Sequence, residues 1–405
     1  MRQVPIATLA LLAMLSYGQT VGTPAVQPAP EHTGLFPVFD GAKHGYIDKN
    51  GKLTLPLQFD DADDFFEGLA AVNVGGKADE YGRAVGGKWG YIDTTGKYVI
   101  EPRFDGVRGF SEGLAAVNVG AKPDSEGHPS GGKWGYIDKT GSFVSNPQFD
   151  GAMDLSEGLA AVNVGGKSGE CGFAEGGKWG YIDKTGNPVI SPQFDETYGF
   201  REGLALVTLG RKRGYIDKTG EYIIEPRFVD ARDFSEGLAA VNVGGKSNRY
   251  GLVEGGKWGY IDKTGKLVVE PRFDGVRGFS EELAAVNVGG KPDEDGFFEG
   301  GKWGYIDRTG KFAVKPRLDG AQDFSEGLAT VNVGGKSDEW GVAEGGKWGY
   351  IDKTGKFVIK LQFDENNDFR EGLAQVGLIG RQGYIDKTGK YVWRPSNPKD
   401  ASGGQ

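Results

Sequence analysis

Cysteine, histidine and methionine are nearly missing from this chain. Its 405 residues hold one cysteine, three histidines and three methionines. The lone Cys171 excludes an intrachain disulfide and any multi-cysteine metal site. His32, His44 and His128 form no His-x-x-x-His pair, and the glycine-rich segments contain neither a nucleophile elbow nor a phosphate-loop spacing. No metal or cofactor is therefore expected. An excess of positive charge is lacking too: 47 Lys and Arg stand against 56 Asp and Glu, a formal net charge of −9. A nucleic-acid surface needs a clustered basic face, so that class of partner is set aside. Long apolar runs are also lacking. Ile6 to Leu15 falls well short of the ~20 residues a spanning helix needs, so no membrane span is expected.

That short run suits another reading. Arg2 gives a positive start, Ile6 to Leu15 an apolar centre, and Ser16 and Gly18 the small residues before a cleavage point at Gln19. Residues 1–18 read as a secretory signal peptide. No cysteine follows to take a bacterial lipid anchor. Residues 19–33, with Pro24, Pro28 and Pro30, read as an extended linker. The expectation is a protein secreted or periplasmic in a bacterium.

Glycine is abundant: 71 residues, about 18%, against a usual ~7%. The glycines carry no collagen period and mark turns repeated many times. The core of the repeat is Gly-Tyr-Ile-Asp, which begins at Gly45, Gly90, Gly135, Gly180, Gly214, Gly259, Gly304, Gly349 and Gly383. Eight intervals separate them, six of 45 residues and two of 34. Gly45 to Gly214 and Gly214 to Gly383 are both 169 residues, and Glu101 to Glu112 reappears unchanged as Glu270 to Glu281, so a four-unit block was duplicated. A fixed period of this size signals a repeat architecture.

Within one unit, Leu114 to Val119 and Trp134 to Asp138 suit two strands. Asp138-Lys-Thr-Gly141 suits a turn capped by its own aspartate, and Tyr98 to Ile100 of the preceding copy a third strand. Pro102, having no N–H to donate, is expected to end the pairing, with a short fourth strand near Phe104 to Val107. Trp134 and Tyr136 share one face, Gly135 and Ile137 the other. Both faces are apolar, so each unit is expected to be covered on both sides by its neighbours, since a lone meander is marginal in water. The fold class is all-β: tandem β-meanders in a propeller-like ring, with an open superhelical β-solenoid as the alternative. The repeat domain spans residues 34–394, and residues 395–405 read as a disordered tail.

The repeated stretches Lys-Trp-Gly-Tyr-Ile-Asp, Phe110 to Val117 and Pro102 to Asp105 resemble the bacterial WG repeat, over nearly all of residues 34–394. The resemblance implies a β-rich array, usually without an assigned activity, and supplies no catalytic residues. His44, Arg213 and Gln382 stand where the pattern has Trp.

Long and short units differ by 11 residues between the first two strands, and Trp occupies its place only in the six long copies. This implies that Trp and the long loop are structurally coupled. Each long loop is framed by two Gly-Gly-Lys-like motifs, and its tip varies: Tyr81, Glu126, Cys171, Tyr250, Asp295 and Trp340. A constant frame with variable tips is how repeat scaffolds build a binding face, although loop tips also drift freely. Aromatics placed identically in each unit read as packing, not as sugar platforms. The nine Asp turns lack the spacing of a calcium loop and read as turn caps. Near-identical units offer no asymmetric site for chemistry. The sequence therefore implies an exported, non-catalytic, monomeric scaffold binding a protein or envelope polymer. The alternatives are a carbohydrate-active or hydrolytic enzyme and a purely structural surface protein.

Overall fold

The computed structural model describes residues 33–78, 84–123, 129–168, 174–247, 253–292, 298–337, 343–378 and 381–395. The all-β expectation holds: the described residues contain no helix, and nine small antiparallel blade sheets, one of them with a detached two-stranded extension, take the β-propeller arrangement in tandem. A complete blade is a four-stranded meander in chain order. The fourth blade is Gly151–Ser156, Leu159–Ser168, Ala174–Asp183 and Pro188–Phe194. The first blade has three strands, Leu35–Phe39, His44–Asp48 and Leu53–Phe59.

Two expectations about the unit need correction. The strand Tyr98–Phe104 runs through Pro102 instead of ending there. It is an edge strand, where a missing N–H costs no ladder bond. Its register against Trp89–Tyr91 jumps from Phe104 to Ile100, a bulge that contains the proline. The short strand after it, Gly106–Val107, opens the next blade and does not close its own. The same bulge explains the glycine of Trp-Gly. A Cβ on Gly135 would lie 2.5 Å from the Ser145 carbonyl oxygen and 2.7 Å from the Pro147 nitrogen, so only glycine lets the folded-over edge strand approach.

The core lies between blades, as the two apolar faces imply. Tyr91, Ile100 and Phe104 of the second blade pack with Phe110, Ala115, Val117 and Ile137 of the third. On the third blade's other face, Tyr136 and Phe149 pack with Leu155, Val162 and Ile182 of the fourth. Tyr136 and Ile137, adjacent in sequence, thus enter different cores, the consequence of period two. The tyrosines of the first eight blades reach across: Tyr91, for example, donates its hydroxyl to the Arg108 carbonyl at 2.7 Å and stands edge-on to Phe110 at 4.9 Å. Such aromatic pairs add about 0.5–1.5 kcal/mol beyond burial itself.

The described residues divide into two compact units, residues 33–200 with 391–395, and residues 201–390. In both, a second device joins successive blades. The first and second strands meet in a two-residue Glu-Gly turn whose residues both have positive φ, as in Glu67 (52°) and Gly68 (85°). This is the I′ geometry that asparagine-glycine usually supplies. The strained glutamate is a clip: Glu67 accepts from the Gly113 N–H at 3.0 Å and from Lys139 Nζ at 3.1 Å, both on the next blade. In the other unit Glu281 accepts from the Gly327 N–H at 3.1 Å and pairs with Lys353 at 3.3 Å.

Candidate functional site

The clips fix which end of a blade is which. Glu-Gly turns meet the Asp-Lys-Thr-Gly turns of the next blade at one end. In an antiparallel meander the connection between the second and third strands must then leave from the opposite end. Within each unit the long hairpins therefore emerge on a common face.

Their bases are built in three parts. A fully or almost fully buried asparagine clamps the two strands: Asn163 donates Nδ2 to the Gly176 carbonyl at 3.1 Å and accepts from the Gly166 N–H at 3.1 Å. Gly176 and Gly177 stand at φ 67° and 68°, and a Cβ on Gly177 would strike the Gly166 nitrogen at 2.3 Å. Short-hairpin blades carry Phe39, Thr208 or Gly377 in place of that asparagine. The third part is the aspartate of Pro-x-Phe-Asp. Asp105 takes Lys88 on one oxygen and the Gly120 N–H, at 2.7 Å, on the other. Lys88 precedes Trp89 on one blade and Gly120 begins the hairpin of the next, so one carboxylate joins neighbouring hairpin bases. The Lys of Lys-Trp-Gly and the Asp of Phe-Asp are thus two halves of one contact.

The inferred coupling of Trp to the long loop has a structural basis. Trp134 lies opposite Asn118 in the register, and its ring rests 3.5 Å from where a Cβ of Gly106 would stand. Trp89, Trp134 and Trp303 pack against the inter-blade cores, and Trp258 lies within one. Where Trp is replaced, the substitute is polar: Arg213 bonds Asp230, His44 stands 3.8 Å from Asp61, and Gln382 accepts from Gln375 Nε2 at 3.0 Å. The turn aspartates cap as expected. Asp93 accepts from the Thr95 hydroxyl at 2.6 Å and from the Thr95 and Lys97 amides, contacts that hold its carboxyl below the usual range. The tips Tyr81, Glu126, Cys171, Tyr250, Asp295 and Trp340 lie outside the described residues.

One feature escaped sequence reading. First strands of neighbouring blades lie against each other, as Gly275–Ser280 does against Gly320–Ser325, and collect charge. In the unit of residues 201–390 the row holds Arg232, Asp233, Arg277, Asp323 and Asp368. Arg277 Nε donates to the Ala321 carbonyl at 3.0 Å, and Arg201 stands 3.4 Å from Asp233. Burial, with Asp323 nearby, pushes Asp368 up to about 6 against the pull of Arg277 and of Thr330, 3.3 Å away. In the other unit Asp63 is pushed up to about 7 by burial and by Asp61 and Asp64. Asp63 lies at the solvent-exposed edge of its row, whereas Asp368 is half-buried. The available signal was the variation of two adjacent positions within a constant frame: Arg108-Gly, Met153-Asp, Arg232-Asp, Gln322-Asp and Asn367-Asp all precede an apolar anchor.

Sheets, register and inter-blade cores define the class: a tandem-repeat all-β protein of the propeller type. The repeat itself identifies the family. The model described as WG containing repeat matches residues 45–77, 89–122, 134–167, 179–212, 214–246, 258–291, 303–336 and 348–378, more than half of the chain, and the chain belongs to that family. A search of curated proteins finds no match. Among solved structures, the chain is similar to the crystal structure of the eukaryotic initiation factor, at 12% identity and a TM-score of 0.53, covering 94% of this chain and 93% of that one. It is also similar to apo AztD from Citrobacter koseri (10% identity, TM-score 0.39, 90% and 94% covered) and to Kluyveromyces lactis Hsv2p (10%, 0.37, 68% and 90%). At these identities the likeness concerns the fold alone.

Proposed function

We propose that this chain is an exported, non-catalytic, monomeric scaffold that captures a protein or an envelope polymer on its long-hairpin face. The observation that carries the reading is the contrast within each hairpin. The base is fixed by a buried asparagine and left-handed glycines, and in five of the six copies by an aspartate–lysine lock, while the tip residue takes five identities in the six copies. A rigid frame lowers the ordering cost of binding, and varied tips supply recognition.

The fifth blade provides the test. Its hairpin turns directly at Gly210-Arg211 between Leu209 and Lys212. Replacing residues 120–132 and their five counterparts by Gly-Arg should leave the β-sheet spectrum and unfolding cooperativity intact. Capture of partners from envelope extract should be lost. Undiminished capture by the shortened chain would remove the proposal. Export is tested separately: the secreted chain should begin at Gln19, and retention of the full N-terminus inside the cell would count against it.

A further inference from the structure

The aspartate that follows the anchor is replaced at one described junction, by Val229. At seven blade junctions the residue after the Phe or Leu anchor is aspartate: Asp60, Asp105, Asp150, Asp195, Asp274, Asp319 and Asp364. Each pairs with a lysine 17 residues earlier. Five of them, at 2.7 to 2.9 Å, also accept the N–H of the glycine that opens a long hairpin. At the remaining junction Val229 holds that place, and the next residue, Asp230, is taken by Arg213. The other partners of the missing carboxylate are still in position. Lys212 is exposed, and Gly244 is the glycine that opens the sixth blade's long hairpin.

The consequence is visible in the backbone. The five other long hairpins have continuous strands, such as Leu114–Pro123 and Leu283–Pro292. In the sixth blade the strand stops at Val243 and resumes only at Lys246–Ser247, and its partner splits into Val253–Glu254 and Lys257–Asp262. The asparagine clamp is intact there, with Asn242 bonded to Gly245 at 3.2 Å and to Gly255 at 3.3 Å, so the clamp is not what failed. A cleft of about 220 Å³ lies at the break, lined by Lys212, Arg227, Phe228, Val229, Val243 and Gly244 among others.

We propose that this cleft binds a small carboxylate with a short aliphatic body. The carboxylate occupies the position of the absent aspartate side chain, with one oxygen on Lys212 Nζ and the other on the Gly244 N–H. Two oxygens in one plane meet an ammonium and an amide at five equivalent junctions through an aspartate, and the same pairing favours an external carboxylate over a spherical or tetrahedral anion. Val229 and Val243 supply the apolar wall for the aliphatic part.

Butyrate is the probe, added at constant ionic strength to the full-length chain while the Gly244 amide is followed by NMR. The expected result is a saturable shift of that amide and slower hydrogen exchange at Gly244 and Gly245. Lys212→Gln should weaken binding by about ten-fold or more, the scale of one charge-assisted hydrogen bond. Val229→Asp should abolish the response, because the restored side chain fills the site, and should itself slow exchange at Gly244; this variant is safe for folding, since seven junctions already carry aspartate. An unresponsive wild type, a Val229→Asp variant that binds butyrate as well as the wild type, or sulfate competing as strongly as butyrate would each overturn the proposal.

Discussion

Glu282 stands where other blades have glycine, and replacing it offers a clean test of how the blade-joining turns are built. In the turn Glu281–Glu282 both residues are left-handed, at φ 53° and 74°. The equivalent second residues Gly68, Gly113, Gly158, Gly203, Gly237, Gly327 and Gly372 lie between 79° and 90°. A side chain in this region costs about 1–2 kcal/mol. Glycine returns about 0.4–1 kcal/mol of that through the freer unfolded chain. Glu282→Gly should therefore stabilise the protein by about 0.5–1 kcal/mol. The contact that matters is retained, because the residue 282 N–H, not its side chain, donates to Glu236 Oε2 at 2.9 Å. The mirror change is Gly327→Ala. A Cβ there meets nothing within 4 Å, so its cost is conformational and should be of similar size with opposite sign. Urea unfolding followed by circular dichroism, with unchanged slope, measures both. A destabilised Glu282→Gly, or a neutral Gly327→Ala, would show that the turn conformation is not what limits these sites.

Three further outcomes follow from the geometry. Asn163→Ala removes a fully buried clamp with one donor and one acceptor bond; a loss of about 1–3 kcal/mol is expected, with faster hydrogen exchange at Gly166, and unchanged exchange would contradict the clamp. Gly135→Ala places a methyl 2.5 Å from a backbone oxygen and should cost about 1–3 kcal/mol by overpacking, read as a lower urea midpoint. Asp368, whose ordinary value of 3.8 is pushed up to about 6, binds its proton more tightly folded than unfolded, so its contribution to stability is present in acid and is lost as pH rises from about 4 through about 6. Asp368→Asn should remove that fall, gaining on the wild type at pH about 8 relative to pH about 4.5; a wild-type difference of the opposite sign would reject the assignment.

Much of this architecture is written in spacing. Nine copies of Gly-Tyr-Ile-Asp fix the number of blades, and the alternation at Trp134-Gly-Tyr-Ile fixes which side chain enters which core, because strand geometry sends successive residues to opposite faces. Asp138 as a turn cap and the long loops as hairpins are equally local facts. Contacts between non-adjacent segments were not readable. Pro102 looked like a terminator because a proline forbids a ladder bond, but whether its strand has a neighbour on that side depends on the sheet order. The ion pair of Lys88 with Asp105, the reach of Glu67 to Gly113 and Lys139, and the crowding of Asp323 and Asp368 beside Arg277 all arise where blades meet.

The period, the strand alternation and the turn chemistry are properties of a few consecutive residues, and the chain carried them unaided. The meaning of the exceptions was set by folding. Val229 in place of aspartate and Glu282 in place of glycine are single letters in a long repeat. One leaves a lysine and an amide facing a cleft, and the other sits in a left-handed turn. Both follow from where the neighbouring blade stands, and no stretch of sequence specifies that alone.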